Sequence, residues 1–73
     1  MSKVQELAEE INMSYIEFIG EMRKRGCGEP TALKIWNGEY ENFVDYKDNN
    51  IQLSNLRKAA RVLNVTTGAL IPK

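Results

Sequence analysis

The chain has 73 residues, of which 42% are hydrophobic and 27% are charged, and its formal net charge is zero. This length predicts a single domain over residues 1–73, near the lower size at which a hydrophobic core holds a fold without disulfides or metals. No apolar run approaches the roughly 20 residues of a membrane span, and the acidic N-terminus is unlike a signal peptide. The single cysteine, Cys27, excludes an internal disulfide and predicts a cytoplasmic location.

The neutral total conceals an uneven distribution of charge. Residues 1–50 contain all ten acidic residues and six cations, whereas residues 51–73 contain four cations and no acid. A second basic cluster, "RKR" at 23–25, lies within the acidic part. Such asymmetry indicates an anionic partner, but basic residues late in a helix also complement the helix dipole. Charge alone does not decide between these explanations.

Two amphipathic helices are predicted in the first third of the chain. The segment 3–12 carries apolar residues at helical spacing, and these are Val4, Leu7, Ala8 and Ile11. Ser14 then opens a second helix, with Glu17 three residues later as in a capping box. The expected buried face of this helix comprises Tyr15, Phe18, Ile19 and Met22. It should end after the basic cluster, with Gly26 as its C-cap.

A third, shorter helix is predicted over Glu29–Asn37, with Pro30 in the first turn, where the missing N–H costs nothing. Ala32, Ile35 and Trp36 should face inward, and Asn37-Gly38 should end the helix. The ten residues 41–50 then form a loop, which is long for a connection within a bundle and therefore a possible functional segment. Its apolar members Phe43, Val44 and Tyr46 are expected to pack it against the domain.

A fourth helix is predicted from about Gln52 to Asn64. Its apolar stripe consists of Leu53, Leu56, Ala60 and Leu63. Thr66 or Thr67 should cap a final turn that contains Leu70, before Pro72. Since no segment alternates with period two over a sufficient length, we expect an all-α fold, a compact bundle of four to five short helices.

The residue types argue against catalysis. The chain has no histidine and one cysteine, so metal sites built from imidazole and thiolate and Ser-His or Cys-His nucleophile pairs are excluded. No glycine-rich phosphate loop follows a strand, and the carboxylates fall on the outward faces of the first two predicted helices. We therefore expect no enzyme activity, no metal, no cofactor and no small-molecule substrate.

The segment from Ser14 to Leu70 resembles the helix-turn-helix domain of phage Cro and repressor proteins and their bacterial relatives, the Xre family. The motif "ALKIWNG" stands where the family closes its recognition helix. The closing pattern of the family is matched by Leu53, Leu56, Ala59, Ala60, Leu63, Val65, Thr66 and Leu70. The resemblance implies a lambda-repressor-like fold and a small, sequence-specific DNA-binding transcriptional regulator of phage or mobile-element type.

In a helix-turn-helix the second helix of the motif enters the major groove and the first crosses the backbone. The resemblance therefore makes residues 29–37 the recognition helix on double-stranded DNA, most naturally as a homodimer on a two-fold site. The candidate base contacts are Glu29, Thr31, Lys34 and Asn37. The candidate phosphate contacts are Ser14, Tyr15, Arg23, Lys24, Arg25, Lys47, Asn49, Asn50, Arg57 and Lys58. Arg61, one turn further on, is instead expected near a dimer contact.

Two other functions fit the same residues. A protein-interaction module on this helical fold, without DNA binding, would use the 41–50 loop and Tyr40 as a partner surface. Residues 6–26 also resemble the small N-terminal helical domain of bacterial translation initiation factor two. That resemblance implies an RNA- or ribosome-associated domain, but it leaves the second half of the chain unexplained.

Overall fold

The computed structural model describes residues 2–39 and 53–70, apart from the side chain of Leu53. These residues form four α-helices, α1 (Lys3–Glu10), α2 (Tyr15–Lys24), α3 (Glu29–Trp36) and α4 (Leu53–Leu63), and a 3-10 turn, Thr67–Ala69. No strand occurs among the described residues. The predicted all-α fold is thereby confirmed. The 41–50 loop and residues 71–73 lie outside the described part of the chain.

Local signals in the sequence account for the helix starts. At α2 the Ser14 hydroxyl accepts from the Glu17 N–H at 3.2 Å, and the Glu17 carboxylate accepts from the Ser14 N–H at 3.1 Å. This is the capping box that was predicted. A second box, Ser2 with Gln5, opens α1 and was not among our predictions, although its spacing is the same. The Ser2 hydroxyl also donates to the Trp36 carbonyl at 2.6 Å, which joins the start of α1 to the end of α3.

Three helices end in the same way. Asn12, Gly26 and Asn64, after α1, α2 and α4, have positive φ values of 57°, 88° and 60°. In each case the next residue donates its N–H to a carbonyl five residues back, from Met13 to Ala8, from Cys27 to Met22 and from Val65 to Ala60. This is the Schellman arrangement, which satisfies carbonyls that the helix leaves unpaired. The predicted stops at Gly26 and Asn64 are confirmed.

The core lies between α2, α3 and α4, which contact one another, and α1 packs against α3 and α4. The residues that the helical spacing placed inward are mostly buried; these are Val4, Ala8, Phe18, Ile19, Met22, Ala32, Ile35, Leu56, Ala60, Leu63 and Leu70. Leu7, Tyr15 and Trp36 are partly buried against this cluster. The Trp36 ring lies 5.6 Å from the Tyr15 ring and 5.3 Å from the Phe18 ring.

One predicted core residue is wrong. Ile11 is 47% exposed, because α1 ends at Glu10 and Ile11 is its C-cap, where the backbone already leaves the helix. Ile11, at the i+7 position of the apolar stripe, therefore lies beyond the helix and does not reach the core. Asn37 is likewise the C-cap of α3, not its last helical residue.

Candidate nucleic-acid interface

The helices α2 and α3 form a contacting pair joined by the four residues 25–28. A short connection of three or four residues that contains glycine is typical of helix-turn-helix pairs. Gly26 supplies the left-handed conformation, and the Cys27 side chain, 3% exposed, packs into the hydrophobic core. Burial raises the pKa of the Cys27 thiol, an effect that the nearby Lys58 ammonium partly offsets.

The outward face of α3 carries two of the four predicted base contacts. Ala32 and Ile35 are fully buried, and a spacing of about 100° per residue places Lys34 and Asn37 on the opposite side. Asn37 is exposed and Lys34 half-buried. Apolar Pro30 and Leu33 occupy the same face, with Leu33 38% exposed. This face therefore offers a single cation and a single amide beside an apolar surface.

Thr31 and Glu29 lie at the flanks of α3. Thr31 is half-buried and adjoins the buried side of the helix. Glu29 faces α2, where its carboxylate accepts from the Tyr15 hydroxyl at 3.2 Å and lies 3.8 Å from the Arg23 guanidinium. Desolvation raises the pKa of the Tyr15 hydroxyl, and the Glu29 charge and hydrogen bond raise it further. A contact from Glu29 to cytosine would require it to leave both of these α2 side chains.

Carboxylates accompany the predicted phosphate contacts at the end of α2. Glu21 binds Lys24 at 3.1 Å and Arg25 at 3.0 Å, while Arg23 faces Glu29. Hydrogen bonds from Lys24 and then Arg25 lower the pKa of the Glu21 carboxyl. The i+3 and i+4 spacing from Glu21 signals these pairs in the sequence. Three cations thus share two carboxylates, so this patch is less positive than "RKR" suggests.

The middle of α4 adds a cation next to the turn. The ammonium of Lys58 lies 3.8 Å from the position that a Cβ on Gly26 would occupy, and it donates to the Asn55 side chain at 3.5 Å. Arg57 and Arg61 are exposed, and neither forms an ion pair within residues 2–39 and 53–70. One cation of α4, Lys58, therefore lies against the α2–α3 turn, next to the basic segment 23–25.

The remaining predicted phosphate contacts divide into two groups. Ser14 and Tyr15 stand at the N-terminus of α2, where the Ser14 hydroxyl accepts from Glu17 N–H and the Tyr15 hydroxyl donates to Glu29. Lys47, Asn49 and Asn50 lie outside the described residues.

In the part of the chain that is described, no group of three or more potential ligands is arranged for a metal. No described helix is both long and apolar enough to span a bilayer.

No protein-family model, curated protein sequence or solved structure matches this chain. The repressor resemblance therefore depends on the residues of the sequence alone.

Proposed function

We propose that this protein is a small, sequence-specific DNA-binding transcriptional regulator of the phage-repressor type. The observation that carries the proposal is the position of Lys58 against the α2–α3 turn. The acid-free helix α4 lies beside α2 and α3, the pair of helices with which a helix-turn-helix protein would bind DNA. Carboxylates on this surface would be repelled by phosphates, which explains why α4 has none.

The outward face of α3 would contact the base edges in the major groove. Lys34 can donate to guanine O6 and N7, and Asn37 can pair with an adenine edge or bind a phosphate. Leu33, beside them, can contact a thymine methyl group. Glu29 instead contacts Tyr15 and Arg23 on α2 and so links the two helices at their surface.

The cations of α4 and of the α2–α3 turn would bind the phosphates. Arg25 is the first residue of the turn, and Arg57 and Lys58 belong to the acid-free helix α4. Phosphate contacts from such residues carry no sequence information. Because Glu21 and Glu29 offset much of the α2 charge, a monomer should bind weakly at physiological salt. A homodimer on a two-fold site is the natural source of further affinity.

The test compares two lysines on the proposed interface. The specific site is first selected from random duplexes. Lys34→Ala should weaken the free energy of binding to that site by roughly 1–3 kcal/mol, and the free energy of binding to random DNA by much less. Lys58→Ala should weaken both alike and reduce the slope of affinity against salt, because a phosphate contact releases counterions whatever the sequence. Fluorescence anisotropy at several salt concentrations measures both. Lys3→Ala, a cation on α1, is the control for a general loss of charge.

If Lys34→Ala and Lys58→Ala behave identically, the binding is general electrostatics and α3 does not read bases. If neither change affects DNA binding, the protein-interaction module is the better proposal. The pairing of the α2 cations with carboxylates is the observation that favours this second function.

A further inference from the structure

Ser2 is the one buried polar or charged residue in the part of the chain that the structure describes, with 7% of its surface exposed. Its hydroxyl accepts from the Gln5 N–H at 3.0 Å and donates to the Trp36 carbonyl at 2.6 Å. A serine hydroxyl has a single proton, so this proton is committed to Trp36. The capping box of α1 uses the hydroxyl only as an acceptor. The donated bond therefore does something that the start of α1 does not need.

The donated bond holds the C-terminal end of α3. A helix leaves its last carbonyls without partners inside the helix, and α3 has only 8 residues. A helix this short is not stable without contacts to the rest of the fold. The Trp36 carbonyl is bonded to Ser2 before α1, while the Trp36 ring packs on α2, 5.3 Å from the Phe18 ring. The last residue of α3 is thus held through its backbone and through its side chain.

Both candidate base contacts on the outward face of α3 lie at this end of the helix. Lys34 precedes Trp36 by two residues, and Asn37 follows Trp36 directly as the C-cap. Opening of the last turn of α3 would displace both side chains from a DNA groove. Lys58, a proposed phosphate contact, belongs to α4 and would not move with that turn.

We propose that Ser2 is a positioning residue for base recognition, whose hydroxyl holds the last turn of α3, and with it Lys34 and Asn37, in the geometry that reads the bases. This inference rests on the proposed function. A supporting bond of this kind restrains the groups that contact a ligand without touching the ligand itself. It contributes to discrimination between sequences and not to the phosphate contacts that are made with any duplex.

Ser2→Asp separates the donated bond from the helix cap. Aspartate caps a helix about as well as serine does, but an ionised carboxylate has no proton to donate to the Trp36 carbonyl. Gln5→Glu is the matched control. It adds the same negative charge to the start of α1, keeps a residue type that the capping box accepts and leaves the Ser2 hydroxyl in place. Ser2→Thr keeps the hydroxyl and should keep the bond.

Amide hydrogen exchange without DNA tests the bond itself. The N–H groups of Asn37 and Gly38 each donate to a carbonyl near the end of α3. In Ser2→Asp their exchange should be at least about threefold faster than in Gln5→Glu, because the end of α3 opens more often. The Cys27 N–H, which is bonded at the end of α2, should keep its rate. Unchanged exchange at Asn37 and Gly38 would overturn the proposal.

Fluorescence anisotropy tests the consequence for DNA binding. Ser2→Asp should bind the selected site about three- to tenfold more weakly than Gln5→Glu does, because a bond that keeps α3 in its binding geometry is lost. The two variants should bind random duplexes with equal affinity, since their phosphate contacts are the same. Ser2→Thr should bind both kinds of DNA as the unchanged protein does.

The outcomes separate this inference from the proposed function. If the unchanged protein prefers its selected site but Ser2→Asp and Gln5→Glu bind that site alike, the proposed function stands and the positioning role is wrong. If Ser2→Asp loses affinity for both kinds of DNA equally, the bond supports only the fold and the role is wrong as well. A protein that prefers no sequence would overturn both, even where exchange at Asn37 and Gly38 shows that the bond holds α3.

Discussion

At the scale of single residues, Cys27 reports on the place where α4 meets the α2–α3 turn. Its thiol is buried, which raises its pKa above the ordinary value of 9.0, and the Lys58 charge opposes that rise. The thiolate is the form that reacts with alkylating reagents. The pH dependence of its reaction is therefore a probe of a contact between distant parts of the sequence.

Replacing Lys58 with Met should move the alkylation profile of Cys27 to higher pH, because the charge that favours the thiolate is lost. The rate of reaction with iodoacetamide, measured from pH 7 to 11, gives the profile. Arg61→Gln, on the exposed side of the same helix, should leave it unchanged. If the profile is the same in Lys58→Met as in the unchanged protein, the Lys58 ammonium does not lie beside the turn in solution. The charge argument for the DNA surface would then fail too.

At the scale of elements, α4 is the helix whose apolar stripe closes the core. Leu63 is 2% exposed and belongs to the same buried cluster as Leu56, two turns earlier. Leu63→Ala should lower the free energy of unfolding by about 2–5 kcal/mol, through lost burial and the cavity that remains. Urea denaturation measures this loss, with Arg61→Ala as the exposed control on the same helix. Equal stabilities of the two variants would show that the stripe does not face the core.

The elements also show which parts of the structure sequence reasoning reaches. Helix starts and stops were predictable because their signals are local: Ser14 with Glu17, and Gly26 or Asn64 with the residue that follows. The error at Ile11 arose because periodicity continues in the sequence after the helix has ended. The bond from Tyr15 to Glu29 and the position of Lys58 beside Gly26 depend on how helices pack. No spacing rule within one helix contains that information.

At the scale of the whole molecule, the titrating groups predict a broad plateau of stability. The chain has no histidine, and the groups with a shifted pKa in the described part of the chain titrate toward the two ends of the pH range. Hydrogen bonds from Lys24 and Arg25 lower the pKa of Glu21 from 4.5. Burial raises the pKa of Cys27 from 9.0, and desolvation, with a contribution from Glu29, raises that of Tyr15 from 10.0.

The sign of each shift fixes the direction of the change in stability. Glu21 contributes stability above pH 4.5, and this contribution is lost as the pH falls through its lowered pKa. Cys27 and Tyr15 contribute below pH 9.0 and 10.0, and their contributions are lost as the pH rises through their raised pKa values. The urea midpoint should therefore be flat between about pH 5 and 9 and fall on both sides. Glu21→Gln should reduce the fall of the midpoint on the acid side alone, and Cys27→Ala should reduce part of the fall on the alkaline side, where Tyr15 also contributes. A midpoint that changes steeply near neutral pH would contradict this assignment of groups.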